Sequence, residues 1–214
     1  MNFDTIIESI AGRMEATNQA REAALSTSRG LIRLCANAIR AIHRHEWETA
    51  HALLAEADQA AAELRSRLAG NPTIMHAGYT QDALKEYAEA HLTYAMVRHQ
   101  ELPNADTIGV EPASYLNGLA EAASELRRYI LDGLRKGDVE TGERLLGTMD
   151  DVYSLLVTID YPDAVTGGLR RTTDALRAVL ERTRGDFTAA LRQDQLMAAL
   201  AQVEQRLGKI QGTA

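Results

Sequence analysis

The chain has 214 residues, 45% of them apolar and only 5% aromatic, with a formal net charge of −7. This is enough apolar material for a real core, and the mild acidity excludes binding to nucleic acid through bulk positive charge, so that any such binding needs a local basic patch. The single cysteine, Cys35, excludes an intrachain disulfide, fits a reducing cytoplasm and reads as a buried, inert thiol between Leu34 and Ala36.

The opening MNFDTIIESIAGRMEA carries acids early and lacks the apolar segment of a leader. No apolar run approaches membrane-spanning length, so the expectation is a soluble cytoplasmic protein with no membrane partner. Four prolines punctuate the chain, at Pro72, Pro103, Pro112 and Pro162, each where a helix should end. Between them the pattern is helical throughout. Phe3 to His45 reads as one long helix or two in line, with Gly30 as a weak point. Trp47–Leu68 follows, closed by the Gly70–Pro72 turn, and then Thr80–Gln100. Ala113–Lys136 ends at Gly137, with Asp138 placed to cap Val139–Ile159. Asp163–Arg184 forms a sixth helix, and Asp186 caps a last one to about Ile210. Ala and Leu abound, nothing alternates as a strand, and no linker divides the sequence. The reading is all-α, a single domain over residues 1–214 with about seven helices.

Three stretches carry possible chemistry. On the first helix, Arg29, Arg33, Arg40 and Arg44 fall within about a 60° stripe at 100° per residue. No acid shares the stripe, which makes it a track for phosphates as well as a solvated face. Arg170, Arg171, Arg177, Arg182 and Arg184 form a later basic concentration, diluted by Asp174, Glu181 and Asp186. The run HRHEWETAH gathers His43, His45 and His51, and Glu48–His51 is an E-x-x-H pair. Di-iron bundles use two such pairs, and the chain has no second one, so the run reads as a helix-to-helix corner with exposed histidines.

The third stretch is QDALKEYAEAHLTYAMV, Gln81–Val97, where Glu86 and Glu89 sit at i, i+3 among Ala, Leu, Tyr, Met and Val. A carboxylate in such company needs a partner, and a metal ion is one. Glu121 and Glu125, at i, i+4 on a later helix, supply two more carboxylates, although Arg128 and Asp132 share their stripe as on an ordinary polar face. If the two helices pack side by side, four acids converge as hard divalent cations require.

Four segments, in order, resemble the translin/Trax family: Ser28–Arg44, Gly78–Ala90, Ser114–Glu140 and Gly168–Ala190. The resemblance covers nearly the whole length. It implies an all-α, translin-type fold of about seven helices whose subunits build hollow octamers that bind single-stranded RNA or DNA. Trax-type subunits are metal-dependent endoribonucleases, and translin-type subunits bind without the catalytic acids. The Trax-type E-Y-x-E-A motif is matched by Glu86 and Glu89. The family's third acid is an aspartate on the helix that begins Y-L-x-G, and it is matched by Glu121, one methylene longer. Glu125 matches a further glutamate.

The chain therefore resembles a Trax-like subunit of the archaeal or bacterial type. The resemblance implies Mg²⁺ or Mn²⁺ held by Glu86, Glu89, Glu121 and Glu125, with catalysis by the first three. It implies nucleic-acid binding by Arg29, Arg40, His43 and Arg44, with Arg177, Arg182 and Arg184 as further candidates. The implied activity is endonucleolytic cleavage of single-stranded or short structured RNA by a homo-oligomer, and the octamer is implied by the family alone. The rival is a non-catalytic oligomer that binds single-stranded RNA or DNA, and a third reading is a helical scaffold whose acids pair with Arg127 or Arg128.

Overall fold

The computed structural model describes residues 3–211, with side chains through residue 205. The first helix is unbroken: α1 runs Phe3–His43, and Gly30 makes no joint in it. A glycine inside a helix costs about 1 kcal/mol relative to alanine, and burial of Ala24 and Ser28 before it and of Leu31, Cys35, Ile39 and Ile42 after it outweighs that by anchoring both sides. After α1 come α2 (Trp47–Leu68), α3 (Pro72–Met75), α4 (Gly78–Val97) and α5 (Ala105–Ile108). They are followed by α6 (Pro112–Leu134), α7 (Val139–Leu156), α8 (Asp163–Thr166) and α9 (Leu169–Gln211). Among the described residues there is no strand.

The expected helix count changes at two kinds of place. Single turns α3 and α5 fill the proline-rich connections, α5 capped by the Asn104 side chain accepting from the Thr107 N–H at 2.8 Å. The expected break at Gly185–Asp186 does not occur. Instead Gly167 and Gly168, with φ of +61° and +84°, end α8, and α9 then runs through Gly185 without interruption. Neighbours explain the difference. Thr183 and Phe187 are buried on either side of Gly185, and Asp186 is held by Arg127 of α6 at 2.7 Å rather than acting as a cap.

The six long helices pack in a chain of neighbours: α1 against α2 and α4, α4 against α6, and α6 against α7 and α9. One apolar cluster runs through them, from Leu31 and Cys35 through Leu84, Leu92 and Leu126 to Met149, Leu180 and Phe187. The α4–α6 contact is the closest kind. A Cβ on Gly118 would stand 2.8 Å from the Lys85 carbonyl oxygen and 3.1 Å from the Glu89 backbone nitrogen, so only glycine allows this approach. Arg144 of α7 fixes the far end of α4 by donating to the carbonyls of Met96 and Val97 at 3.0 and 3.2 Å. At the α1–α2 corner His45 takes φ +60°, steadied by Tyr129, whose hydroxyl lies 3.0 Å from its Nδ1.

Two ends stand outside this packing. Every residue from 3 to 19 on α1 is exposed, as is every described side chain of α9 from 192 onward. Both projecting pieces carry apolar stripes: Phe3, Ile6, Ile7, Ile10 and Met14 on one, Leu196, Met197, Leu200 and Val203 on the other. No described helix is long and apolar enough to cross a membrane.

Candidate metal centre

Because Gly118 lets the α6 backbone approach the α4 backbone closely, acids on the two helices are brought together. One carboxylate oxygen from each of Glu86, Glu89 and Glu121 lies within 4.8 Å of the others. Glu89 is the innermost, only 7% exposed, while the Glu86 and Glu121 side chains remain about a third open. Burial and the charges of Glu86, Glu121 and Glu125 push the Glu89 carboxyl up to about 9, against a smaller opposing pull from Lys85. Even with the Lys85 ammonium in place, the protonated form is therefore favoured at neutral pH until a metal ion joins the cluster.

Glu125 takes a different partner from the other three. His43, from the end of α1, places Nε2 2.8 Å from its Oε2, and the imidazole side chain is only 2% exposed. This corrects the expectation of a corner with exposed histidines: His43 is the last residue of α1, lies on its buried side and faces an acid of α6 beside the cluster. The corner's other imidazole, His45, does remain exposed.

Lys85 also belongs to the centre, and neither spacing nor resemblance singled it out. Its Nζ lies 2.6 and 2.8 Å from the two carboxylate oxygens of Glu121 and 3.6 Å from Glu86. Burial on its own would lower this ammonium, but the hydrogen bond to Glu121 and the charges of Glu121, Glu86 and Glu89 outweigh it and raise it. The acids are thus not paired with Arg127 or Arg128. Arg127 binds Asp186 and Thr183, and Arg128 stands 3.9 Å from Asp132. Cys35 feels the same negative field. Burial first, then Glu86 and Glu89, push its thiol up to about 12, which leaves it un-ionised and inert.

No protein-family model matches the chain. The uncharacterized protein MJ0175 of Methanocaldococcus jannaschii is 30% identical over 189 residues, which span 87% of this chain and 83% of its own length. The crystal structure of AfC3PO superposes with a TM-score of 0.79 and the AfC3PO–duplex RNA complex with 0.75, each at 30% identity over 87% of this chain and 97% of the other. The chain belongs to the translin/C3PO family. Apo-NeC3PO, at 19% identity and a TM-score of 0.77 over 86% of this chain, shares the fold.

Within this translin/C3PO fold the remaining candidate residues divide by their surroundings. Arg29, Arg33, Arg40 and Arg44 are exposed along α1, and among the described residues no carboxylate pairs with any of them; Arg40 donates to Asn37 at 2.7 Å. Arg177 and Arg182 are likewise exposed on α9. Arg184 is committed elsewhere, bonded to Asp150 at 2.7 Å and to Glu181 at 3.3 Å, because α7 brings its own acid alongside. On the side of α4 away from the acids, Asp58 of α2 accepts from the Tyr87 hydroxyl at 2.6 Å and lies 2.9 Å from His91 Nε2, a polar clamp between the two helices.

Proposed function

We propose that this chain is a Trax-like, metal-dependent endoribonuclease that acts on single-stranded or short structured RNA as a subunit of a homo-oligomer, with the family's octamer as the assembly. The observation that carries the reading is the convergence of the Glu86, Glu89 and Glu121 carboxylates within 4.8 Å around a buried acid. An all-carboxylate donor set at that spacing suits Mg²⁺ or Mn²⁺. The fit has a second support: the cluster already draws in one cation, the Lys85 ammonium. Glu121, in place of the family's aspartate, still reaches the cluster, so the added methylene is absorbed within the α4–α6 contact.

Glu86, Glu89 and Glu121 would hold the ion, and Glu125, aligned by His43, adds negative charge beside them. When bound, such an ion supplies Lewis acidity toward a phosphodiester and lowers the pKa of a water molecule. The unpaired arginines of α1, chiefly Arg29, Arg40 and Arg44, would position the RNA backbone by charge. The duplex RNA bound to AfC3PO favours including structured RNA among the substrates. The apolar stripes on the projecting ends of α1 and α9 support self-association, since faces of this kind are normally covered.

The test is incubation of labelled RNA, single-stranded and duplex, with the purified protein in Mn²⁺ or in EDTA. Cleavage should require the metal and should vanish in Glu86→Ala and Glu89→Ala. Persistence in EDTA, or survival of both substitutions, overturns the mechanism. A second reading, a binding-only oligomer, is favoured by the bond from Lys85 to both oxygens of Glu121, which neutralises part of the cluster without metal. It predicts salt-sensitive RNA binding with no cleavage at any Mn²⁺ concentration.

A further inference from the structure

Of the 23 basic residues in the chain only three are lysines, Lys85, Lys136 and Lys209. In a protein that otherwise uses arginine, a lysine stands at the acid cluster. The choice has physical content. A guanidinium is a rigid planar fork that locks onto carboxylates, whereas an ammonium is a point charge on a flexible four-carbon stem that can leave and return.

The position of Lys85 defines what it does there. Its Nζ bonds to both oxygens of Glu121, at 2.6 and 2.8 Å, and stands 3.6 Å from Glu86. Those are two of the three carboxylates whose oxygens converge. A divalent ion bound among them takes oxygens that the ammonium now holds, and two cations a few ångströms apart repel strongly in a half-buried site. The lysine also has somewhere to go. Together with Glu121 it lines a cavity of about 690 Å³ whose other walls include Gln81, Asn117, Arg171 and Thr172.

We propose that Lys85 is a built-in counter-ion, seated in the cation position of the acid cluster and displaced into the adjoining cavity when a divalent ion binds. The inference rests on the metal-dependent reading above and adds to it a competitor carried by the protein itself. Its consequence is a threshold: the acids stay neutralised and ordered at low metal, and the site loads only when the free ion outcompetes the tethered ammonium.

Because lysines are so few, the displacement can be read on the unaltered protein. Reductive methylation followed by peptide mass spectrometry would report Lys85 against exposed Lys136 as the internal standard, while Mn²⁺ binding is followed separately by electron paramagnetic resonance. Lys85 should label slowly without Mn²⁺ and at least several-fold faster with it, Lys136 staying constant. In Lys85→Met the Mn²⁺ dissociation constant should fall at least tenfold. If wild type binds Mn²⁺ and the labelling of Lys85 does not change, the counter-ion role is overturned and the metal-dependent reading stands. If Lys85→Met binds Mn²⁺ no better than wild type, the role is likewise overturned. Failure of both proteins to bind Mn²⁺ overturns both readings.

Discussion

Replacing Glu89 by glutamine changes the electrostatics of the cluster while keeping its shape, because the amide is close to isosteric with the protonated acid. Glu89 has its carboxyl pushed from an ordinary 4.5 up to about 9. Between those two values the folded chain holds a proton that the unfolded chain has released. The unfolded state then binds fewer protons, so stability falls as pH rises, by about 1.4 kcal/mol per unit, and levels out above about 9. From pH 6 to pH 8 this one group should remove on the order of 2–3 kcal/mol. Glu89→Gln has no proton to lose there, so its stability relative to wild type should climb by that amount over the same interval. Urea denaturation followed by circular dichroism at pH 6, 7 and 8, in EDTA, measures the difference directly. Added Mn²⁺ should flatten the wild-type dependence, because the ion replaces the proton as the neutralising charge, and should do little for the variant. Wild-type and variant stabilities that run parallel from pH 6 to 8 would refute the account of Glu89 as an acid kept neutral by its neighbours.

Other substitutions separate geometry from charge. Gly118→Ala drives a methyl against the Lys85 carbonyl and the Glu89 backbone, neither of which is a flexible side chain. A loss of about 1–3 kcal/mol is expected by urea denaturation, together with weaker Mn²⁺ binding as α4 and α6 part. Phe187→Ala should cost about 3–5 kcal/mol, read by the same method, since its ring fills the space over Gly142. His43→Gln should lower stability yet leave the salt dependence of RNA binding unchanged. Arg40→Ala and Arg44→Ala should each reduce the slope of log affinity against log salt by about one.

How much of this was legible beforehand depended on the range of the interaction involved. Proline and glycine act on their own backbone, so both limits of α2 and the start of α7 followed from sequence, and Asp138 does cap α7 by accepting from the Thr141 N–H. The helices α6 and α7 themselves end at Leu134 and Leu156, two and three residues before the expected Lys136 and Ile159. The break misplaced at Gly185 shows the limit of that logic. A glycine interrupts a helix only where packing lets it, and Phe187 and Arg127 hold α9 straight through that point. Glu86 and Glu89 stood out because their neighbours on α4 are uncharged, and Glu121 joins them through the α4–α6 contact. The partners of the other charges were out of sight, since they are tertiary. His43 reaches Glu125 across 82 positions and Lys85 reaches Glu121 across 36, distances over which helical periodicity carries no signal.

The projecting half of α1 has a mechanical consequence. At about 1.5 Å per residue, a helix of 41 residues is a rod roughly 60 Å long. Its outer part, residues 3–19, is exposed throughout, while its inner end carries His43 against Glu125. With no proline or bend between the two, the rod has no joint at which a tilt imposed on its tip would be absorbed. Anything that clamps Phe3, Ile7 or Met14 therefore also steers the imidazole at the opposite end, so that the acids on α6 are sensitive to what the far tip is doing.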